Sequence, residues 1–282
     1  MAGAGVELAL NCSCILLDSS SLIKFNMTIS LITVTFNSAK TVADTFESVL
    51  RQDYKDYEYI VVDGASKDDT VSIIKAYEPR FGGRMKWISE KDRGMYDGMN
   101  KGIRMASGDI VGIINSDDFY HRNDIFTIVN KAFIDNPGIE SIYGDIRFVR
   151  PDNLEKTVRY YSSKNFKPYK FRWGWMPAHP SFFTYKRNFD KYGYYKYDYK
   201  IAADFELLTR FLYTNKLSSK YLPVDFMKMR TGGRSTSGLK SNWTLNKEIV
   251  RACRENNIYT NMLMLSLKYF IKVFELINTR NY

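Results

Sequence analysis

The sequence predicts an α/β fold: a doubly wound, mostly parallel mixed sheet with helices on both faces, followed by C-terminal helices. Short apolar runs rich in β-branched residues alternate with helical patterns between residues 29 and 135. That alternation is typical of stacked βαβ units with right-handed crossovers. After residue 140 polar and apolar residues alternate, which is typical of a half-exposed hairpin. The sheet is therefore expected to be mixed.

Four strand and helix pairs make up the first part of the chain. The strands are predicted at 29–36, 57–62, 85–89 and 109–114, and the helices at 40–52, 68–77, 96–106 and 124–135. Asn37 and Ser38 follow the first strand and are residue types that can cap the first helix. The fourth run is apolar up to Ile114, as expected for a strand that is covered on both faces.

The second part of the chain is more irregular. A hairpin is predicted at 141–149 and 154–160, a strand at 181–185, a helix at 201–213 and a strand at 220–229. A basic, glycine-rich loop over 230–238 and two closing helices follow. We expect residues 1–26 to be an N-terminal extension, possibly disordered and without assigned function. Residues 27–238 then form the main domain, and residues 239–282 form a helical tail.

Composition sets limits on the class of protein. The 282 residues are 45% hydrophobic, enough for a substantial core without disulfides or structural metals. Three cysteines without metal-ligand spacing indicate reduced thiols and a cytoplasmic compartment. No apolar run approaches the roughly 18 to 20 residues of a spanning helix, so an integral membrane protein is not expected. The net charge of +10 favours an anionic partner, which could be nucleic acid, lipid head groups or a phosphorylated substrate.

Polar segments follow three strands of the predicted sheet, at 35–38, 63–66 and 115–118. The carboxyl ends of parallel strands open into one crevice, so these segments should converge. The adjacent carboxylates of Asp117 and Asp118 could hold Mg²⁺ or Mn²⁺ together with substrate phosphates. The alternative is that they only cap the next helix. Neither a dinucleotide fingerprint nor a P-loop is present, so a nucleotide would depend on carboxylates and a metal.

Several motifs, in this order and spacing, resemble the family 2 glycosyltransferases with the GT-A fold, and among them the bacterial polysaccharide-biosynthesis type. They lie at residues 32–38, 47–52, 59–70, 94–102, 107–109 and 115–118. The resemblance covers residues 28–238. Asn115 stands where many members carry a further Asp, and Ala65 stands where Gly or Ser is frequent.

The resemblance implies a donor site for a nucleotide-diphosphate sugar in residues 27–120. Asp117 and Asp118 are expected to bind a divalent metal, Mn or Mg, and Asp117 is the preferred ligand of the two. Asp63 is expected to contact the base of the nucleotide, with Thr35 beside it, and Asp92 and Arg93 to approach the donor. Arg234 is expected to clamp the diphosphate when its loop folds over the donor, and a plain surface loop is the alternative.

The resemblance also implies an acceptor-binding half in residues 121–238. Asp204 is expected to be the catalytic base of an inverting displacement, with Glu206 as its rival. At a helix N-terminus the pKa of Asp204 should be lowered, and simple complementation of the helix dipole is the alternative role. His179 is expected to complete the metal shell, bind a phosphate or position the acceptor, and a purely structural histidine is the alternative.

Together these expectations describe an inverting, metal-dependent glycosyltransferase. It would move a sugar from a nucleotide-diphosphate sugar to a glycan or lipid-linked acceptor in cell-surface polysaccharide synthesis. A UDP-sugar is the favoured donor. No nucleic-acid partner is expected, whereas a homodimer is left open. An apolar face over residues 261–279 suggests contact with the inner face of the membrane or packing on the protein's own core. A nucleotidyltransferase and a non-catalytic, basic and aromatic module for anionic glycan or nucleic acid are the rival functions.

Overall fold

The computed structural model describes residues 26–232 and 239–266. Its strands are β1 Ile29–Thr35, β2 Tyr57–Asp63, β3 Met85–Ser89, β4 Ile110–Ile113, β5 Phe119–Tyr120, β6 Ser141–Arg150, β7 Asn153–Tyr161, β8 Phe183–Tyr185 and β9 Ser219–Arg230. Its α-helices are α1 Val42–Leu50, α2 Thr70–Tyr77, α3 Met95–Met105, α4 Ile125–Ile134, α5 Lys186–Tyr192, α6 Ala203–Thr209 and α7 Leu239–Glu255. The predicted α/β class is confirmed.

The strands form one mixed sheet in the order β3-β2-β1-β4-β8-β6-β9-β5, with β7 paired to β6 at the side. The pairs β3–β2, β2–β1 and β1–β4 are all parallel. Strand β8 is antiparallel to both β4 and β6. Strands β6 and β9 are again parallel. The antiparallel β8 therefore joins two parallel parts, and this makes the sheet mixed.

Helices cover both faces of the sheet because successive strand residues point in opposite directions. On one face Ile32 packs in a buried cluster with residues of α3, α6 and α7. On the other face Leu31 packs in a second buried cluster with residues of α1, α2 and α4. All of β2 and nearly all of β1 is buried, which explains why their sequences are apolar runs without alternation.

Most predicted elements are present, and three features differ from the prediction. The helix predicted over 201–213 is α-helical only to Thr209 and continues as a π-helical turn over Arg210–Thr214. Helix α5 was not predicted, since Phe189 and Asn188 are its only buried side chains and leave little apolar periodicity. Strand β5 has only two residues and exists because it pairs with the distant β9.

Helix α7 packs on the main body of the protein. Ile249, Ala252 and Cys253 belong to the same buried cluster as α3 and α6, and Leu265 is also fully buried. Part of the predicted apolar tail, residues 267–282, lies outside the described residues. Over the ranges 26–232 and 239–266, no helix has both the length and the apolar character needed to span a bilayer.

Gly112 in β4 provides a test of the packing between β4 and β8. A β-carbon at this position would lie 2.2 Å from Cε1 of the fully buried Phe183. We expect Gly112→Ala to lower the free energy of unfolding by about 1–3 kcal/mol, because the ring has no room to withdraw. The measurement is denaturant unfolding of the purified variant.

Phe183→Leu is the matched partner for this test. Alone it should destabilise the protein by leaving a cavity, but combined with Gly112→Ala the loss should be smaller than the sum of the two single losses. Additive losses in the double variant would contradict the proposed contact.

Candidate active site

Three polar segments meet at the carboxyl ends of β1, β2 and β4, as the sequence predicted. Thr35 at the end of β1 is in register with Asp63 at the end of β2. The Oγ atoms of Ser38 and Ser116 lie 2.9 Å apart, and the hydroxyl of Thr41 donates to the carbonyl of Ser116 at 2.9 Å. These hydrogen bonds join the segment after β1 to the acidic turn after β4.

Asp63 is fully buried, and both of its carboxylate oxygens accept hydrogen bonds within the protein. Oδ1 accepts from the hydroxyls of Thr35, at 2.9 Å, and Ser66, at 2.5 Å. Oδ2 accepts from the amide of Ser66 at 2.9 Å and the hydroxyl of Ser89 at 2.7 Å. A carboxylate has about four acceptor positions, so Asp63 is saturated in this arrangement. Its visible role is to fix the loop that follows β2.

Asp92 lies against that loop from the side of the third strand. A β-carbon at Gly64 would lie 2.8 Å from Oδ2 of Asp92, so a side chain at this position would displace that carboxylate. Oδ1 of Asp92 accepts from the amide of Gly94 at 2.9 Å. Arg93 is exposed and points elsewhere: its guanidinium donates to the hydroxyl of Tyr197 at 3.1 Å and stacks over that ring.

Asp117 and Asp118 form the acidic turn itself. Asp118 is 1% exposed and its Oδ2 accepts from the side-chain amide of Asn115 at 2.9 Å, whereas Asp117 is only half-buried. Burial raises the pKa of Asp117 above its ordinary value. Burial, followed by the charge of Asp117, raises the pKa of Asp118 well above its ordinary value. Two crowded carboxyls of this kind gain most from a bound cation.

Arg230 at the end of β9 supports this turn, and the sequence analysis missed it. Its guanidinium donates to the carbonyl of Asp117, forms an ion pair with Asp44 of α1 and stacks over the ring of Phe119. The only signal in the sequence was its position as the first residue of the predicted basic, glycine-rich loop. Arg234, the predicted diphosphate clamp, lies outside the described residues.

The acidic turn fits a divalent metal whose remaining ligands come from a substrate. Within the described ranges, no three His, Cys, Asp or Glu side chains form a group that could hold a metal. His179 therefore does not join Asp117 and Asp118 in such a group. Two carboxylates with oxygen ligands from phosphates are nevertheless the usual set for Mg²⁺ or Mn²⁺ at nucleotides.

His179 instead belongs to a buried network that links the turn before β8 to helix α3 through Tyr195. Its Nε2 lies 2.6 Å from the hydroxyl of Tyr195. The backbone of Tyr195 is held by Asn100 of α3, which donates to its carbonyl at 2.8 Å and accepts from its amide at 2.9 Å. Burial lowers the pKa of His179 to about 4, so the imidazole is neutral at physiological pH. Asn100 and Tyr195 carried no recognisable signal in the sequence.

Asp204 lies in the first turn of α6, as predicted, but its pKa moves in the opposite direction. Burial, with a smaller contribution from the charge of Glu248, raises the pKa of Asp204 to about 6. The helix N-terminus lowers a carboxyl pKa only modestly, and here desolvation outweighs it. A carboxyl with such a pKa is ionised at neutral pH and is a stronger base than an exposed Asp.

Glu206, the rival base, is committed to ion pairs. It is fully buried and contacts Arg210 at 3.0 Å and Lys196 at 3.0 Å. Two cations and a buried position give this carboxylate a structural role. Its removal would take an ion-pair partner from Arg210 and one of two from Lys196, which also pairs with Glu255.

The mixed sheet, whose parallel strands end at an acidic turn, has the architecture of the GT-A glycosyltransferases. The sequence model of Glycosyl transferase family 2 matches residues 30–193, and the chain belongs to this family. The expected enzyme class is thereby confirmed, and the two rival functions are not needed.

Relatives of the chain are also named as glycosyltransferases. The chain is 34% identical over 186 residues to an uncharacterized glycosyltransferase of Mycobacterium tuberculosis, covering 65% of this chain and 68% of the relative. It is 26% identical over 206 residues to a PGL/p-HBAD biosynthesis glycosyltransferase of Mycobacterium bovis, covering 69% and 73%. It is 30% identical over 130 residues to the GalNAc(5)-diNAcBac-PP-undecaprenol beta-1,3-glucosyltransferase of Campylobacter jejuni, covering 45% and 41%.

Solved structures confirm the fold. TarS of S. aureus in complex with UDP-GlcNAc superposes with a TM-score of 0.61 at 20% identity, over 80% of this chain and 66% of that chain. The mannosyltransferase PcManGT from Pyrobaculum calidifontis, in complex with GDP-Man and Mn²⁺, superposes with a TM-score of 0.55 at 17% identity, over 90% and 82%. At these identities the likeness establishes the architecture alone.

Ala65 offers a test of the loop beside Asp63. Its φ of 61° is in the left-handed region, which costs an L-residue roughly 1–2 kcal/mol relative to glycine. The gain from Ala65→Gly is partly offset by the larger entropy of the unfolded chain, about 0.4–1 kcal/mol. We therefore expect Ala65→Gly to raise the free energy of unfolding by about 0.5–1 kcal/mol in denaturant titrations.

Ala39→Gly is the matched control, because Ala39 lies in a neighbouring loop but is not among the residues with positive φ. It should be neutral or destabilising. Equal stabilisation by both substitutions would contradict the strain at Ala65.

Proposed function

We propose that the protein is an inverting, metal-dependent transferase that moves a sugar from a nucleotide-diphosphate sugar, first of all a UDP-sugar, to an acceptor hydroxyl. The observation that carries this proposal is the carboxyl of Asp204. It is half-buried, its pKa is raised to about 6, and no ion-pair partner contacts it in the described part of the chain. Such a group is free to take a proton, unlike the paired Glu206.

On the donor side, we propose that Asp117 and Asp118 hold the divalent metal, with Asp117 the more accessible ligand. When bound, the metal would neutralise the negative charge that develops on the departing diphosphate. Arg230 holds the backbone of the acidic turn through its hydrogen bond to the carbonyl of Asp117. The hydrogen bond from the side-chain amide of Asn115 holds the carboxyl of Asp118.

The nucleotide base would lie beside the loop that Asp63 and Thr35 hold. Because the acceptor positions of Asp63 are occupied, we propose that it acts through the loop it fixes, while the neighbouring Asp92 offers a carboxylate to the nucleotide. Arg93 would reach the donor by leaving the ring of Tyr197, which its guanidinium contacts in this structure. Arg234 is proposed as a diphosphate clamp on the ground of its arginine type and loop composition alone.

On the acceptor side, a carboxylate oxygen of Asp204 would accept the proton of the attacking hydroxyl. The hydroxyl would attack the anomeric carbon from the face opposite the leaving diphosphate, so the configuration would invert. The neutral His179, held by Tyr195, is proposed to position the acceptor and not to carry charge. The proton would thus pass to Asp204, and the nucleotide diphosphate would leave from the opposite face of the anomeric carbon.

The identity of the acceptor rests on the relatives. The Campylobacter relative is named for a PP-undecaprenol substrate, and the mycobacterial one for PGL/p-HBAD biosynthesis. TarS was solved with UDP-GlcNAc. The two relatives' names support a glycan or lipid-linked acceptor. Cell-surface polysaccharide synthesis, reached from the cytoplasmic side with peripheral contact to the membrane, is part of the same proposal.

The donor site can be tested by calorimetric titration of UDP and GDP with and without Mn²⁺. We expect metal-dependent binding of one nucleotide, and a dissociation constant at least about tenfold higher in Asp117→Ala, because a metal ligand is lost. Asp124→Asn is the control, since Asp124 is partly exposed and forms an ion pair with Arg122, away from the acidic turn. Failure of both nucleotides to bind under every metal condition would refute the proposal.

The base can be tested with Asp204→Asn. This substitution should lower kcat by about 10²–10⁴-fold and leave the nucleotide dissociation constant unchanged. In the wild type, kcat should fall about tenfold per pH unit below pH about 6, because the raised pKa means that the base is already protonated there.

Asp190→Asn is the matched control for this experiment, because Asp190 is an exposed carboxylate on α5 that pairs with Lys186. It should keep the wild-type rate and pH profile. Full activity of Asp204→Asn would assign the proton transfer to another group.

A further inference from the structure

Glu248 of α7 accepts hydrogen bonds from the backbone of the segment that precedes α6. Its Oε1 accepts a hydrogen bond from the backbone amide of Lys200 at 2.8 Å. Its Oε2 accepts from the amides of Ile201 and Ala202, both at 2.9 Å. One carboxylate thus satisfies three consecutive backbone N–H groups immediately before the helix that carries Asp204.

We propose that Glu248 is a positioning residue for the proton-accepting carboxylate of Asp204. This inference rests on the proposed function of Asp204 and adds to it a residue from the helical segment beyond the family match, which ends at residue 193. Glu248 acts through the backbone of residues 200–202 and does not need to touch a substrate.

The backbone geometry supports this role. The amides at the start of a helix have no partners within the helix and must be satisfied from outside. Here the acceptor is the carboxylate of Glu248 on α7. These hydrogen bonds therefore fix the position of the start of α6 relative to α7. The hydroxyl of Tyr96 adds a fourth tie by donating to the carbonyl of Ile201. A displacement of this segment would carry Asp204 with it.

Helix α7 also contacts the stretch of chain before residue 200, and its buried face packs in the core. Glu255, two turns further along α7, accepts hydrogen bonds from Lys196 at 2.8 Å and Tyr199 at 2.9 Å. Arg251 pairs with Asp198 and stacks over Tyr199 at 4.2 Å. The buried face of α7 joins the main core. The hydrogen bonds of Glu255 thus reach Lys196 and Tyr199, whereas those of Glu248 reach the separate stretch of residues 200–202.

The same carboxylate influences the charge state of Asp204. The groups that face Asp204 are Glu248 from α7, Tyr96 from α3 and Tyr195 from the segment between α5 and α6. The two tyrosines are uncharged at neutral pH, since burial raises the pKa of each well above its ordinary value. The negative charge of Glu248 adds to burial in raising the pKa of Asp204. Glu248 therefore affects both the place and the basicity of the base.

The test compares Glu248→Gln with Glu255→Gln, two matched changes of a carboxylate to an amide on the same helix. Glu248→Gln should lower kcat by about 10- to 100-fold, as expected for a misplaced catalytic group, and leave the nucleotide dissociation constant unchanged. It should also shift the acidic limb of the kcat profile to lower pH, because a negative charge near Asp204 is removed. Glu255→Gln should keep the wild-type midpoint.

Hydrogen exchange of the amides of residues 200–202 provides a readout that does not depend on activity. Their exchange should accelerate in Glu248→Ala and remain slow in Glu255→Gln. Unchanged exchange, or an unshifted pH midpoint in Glu248→Gln, would overturn the inference. If Asp204→Asn keeps full activity while exchange responds as expected, then the base assignment fails and the backbone contact stands.

Discussion

The register of the parallel strands is the constraint on which the site depends. Thr35 can reach Asp63 only because β1 and β2 end at the same level, and the acidic turn reaches Ser38 because β4 continues that edge. A shift of one residue would turn every buried side chain of β1 to the opposite face. The two buried clusters on either face oppose such a shift, so the packing of the core also aligns the polar strand ends.

The segment between α5 and α6 connects the parts of the site that different elements supply. Its alternating tyrosines have separate partners: Tyr195 contacts His179, Tyr197 contacts Arg93 and Tyr199 contacts Glu255. One short stretch therefore touches the buried histidine, the donor-side loop and helix α7. The tyrosines of this segment are therefore used for contacts within the protein.

The sequence was informative where structure follows from local pattern. The strands around Ile32 and Val61 and the acidic turn at Asp117 were predicted because periodicity and turn chemistry are local properties. Arg230, Asn100 and Glu248 could not be predicted, because each acts on residues many positions away and only the fold brings them together. The pKa of Asp204 shows the same limit: a local rule about helix ends gave the wrong direction, since desolvation depends on the surrounding helices.

The family match ends at residue 193, before Asp204, Arg230 and Glu248. The shared part contains the loops after β1, β2 and β4, whereas the carboxyl of Asp204 and the helix that grips its segment lie in the part that follows. On the proposed assignment, both sides of the site therefore depend on residues that follow the match. An exchange of the C-terminal part between relatives would have to keep α6 with α7 for the base, and Arg230 for the acidic turn.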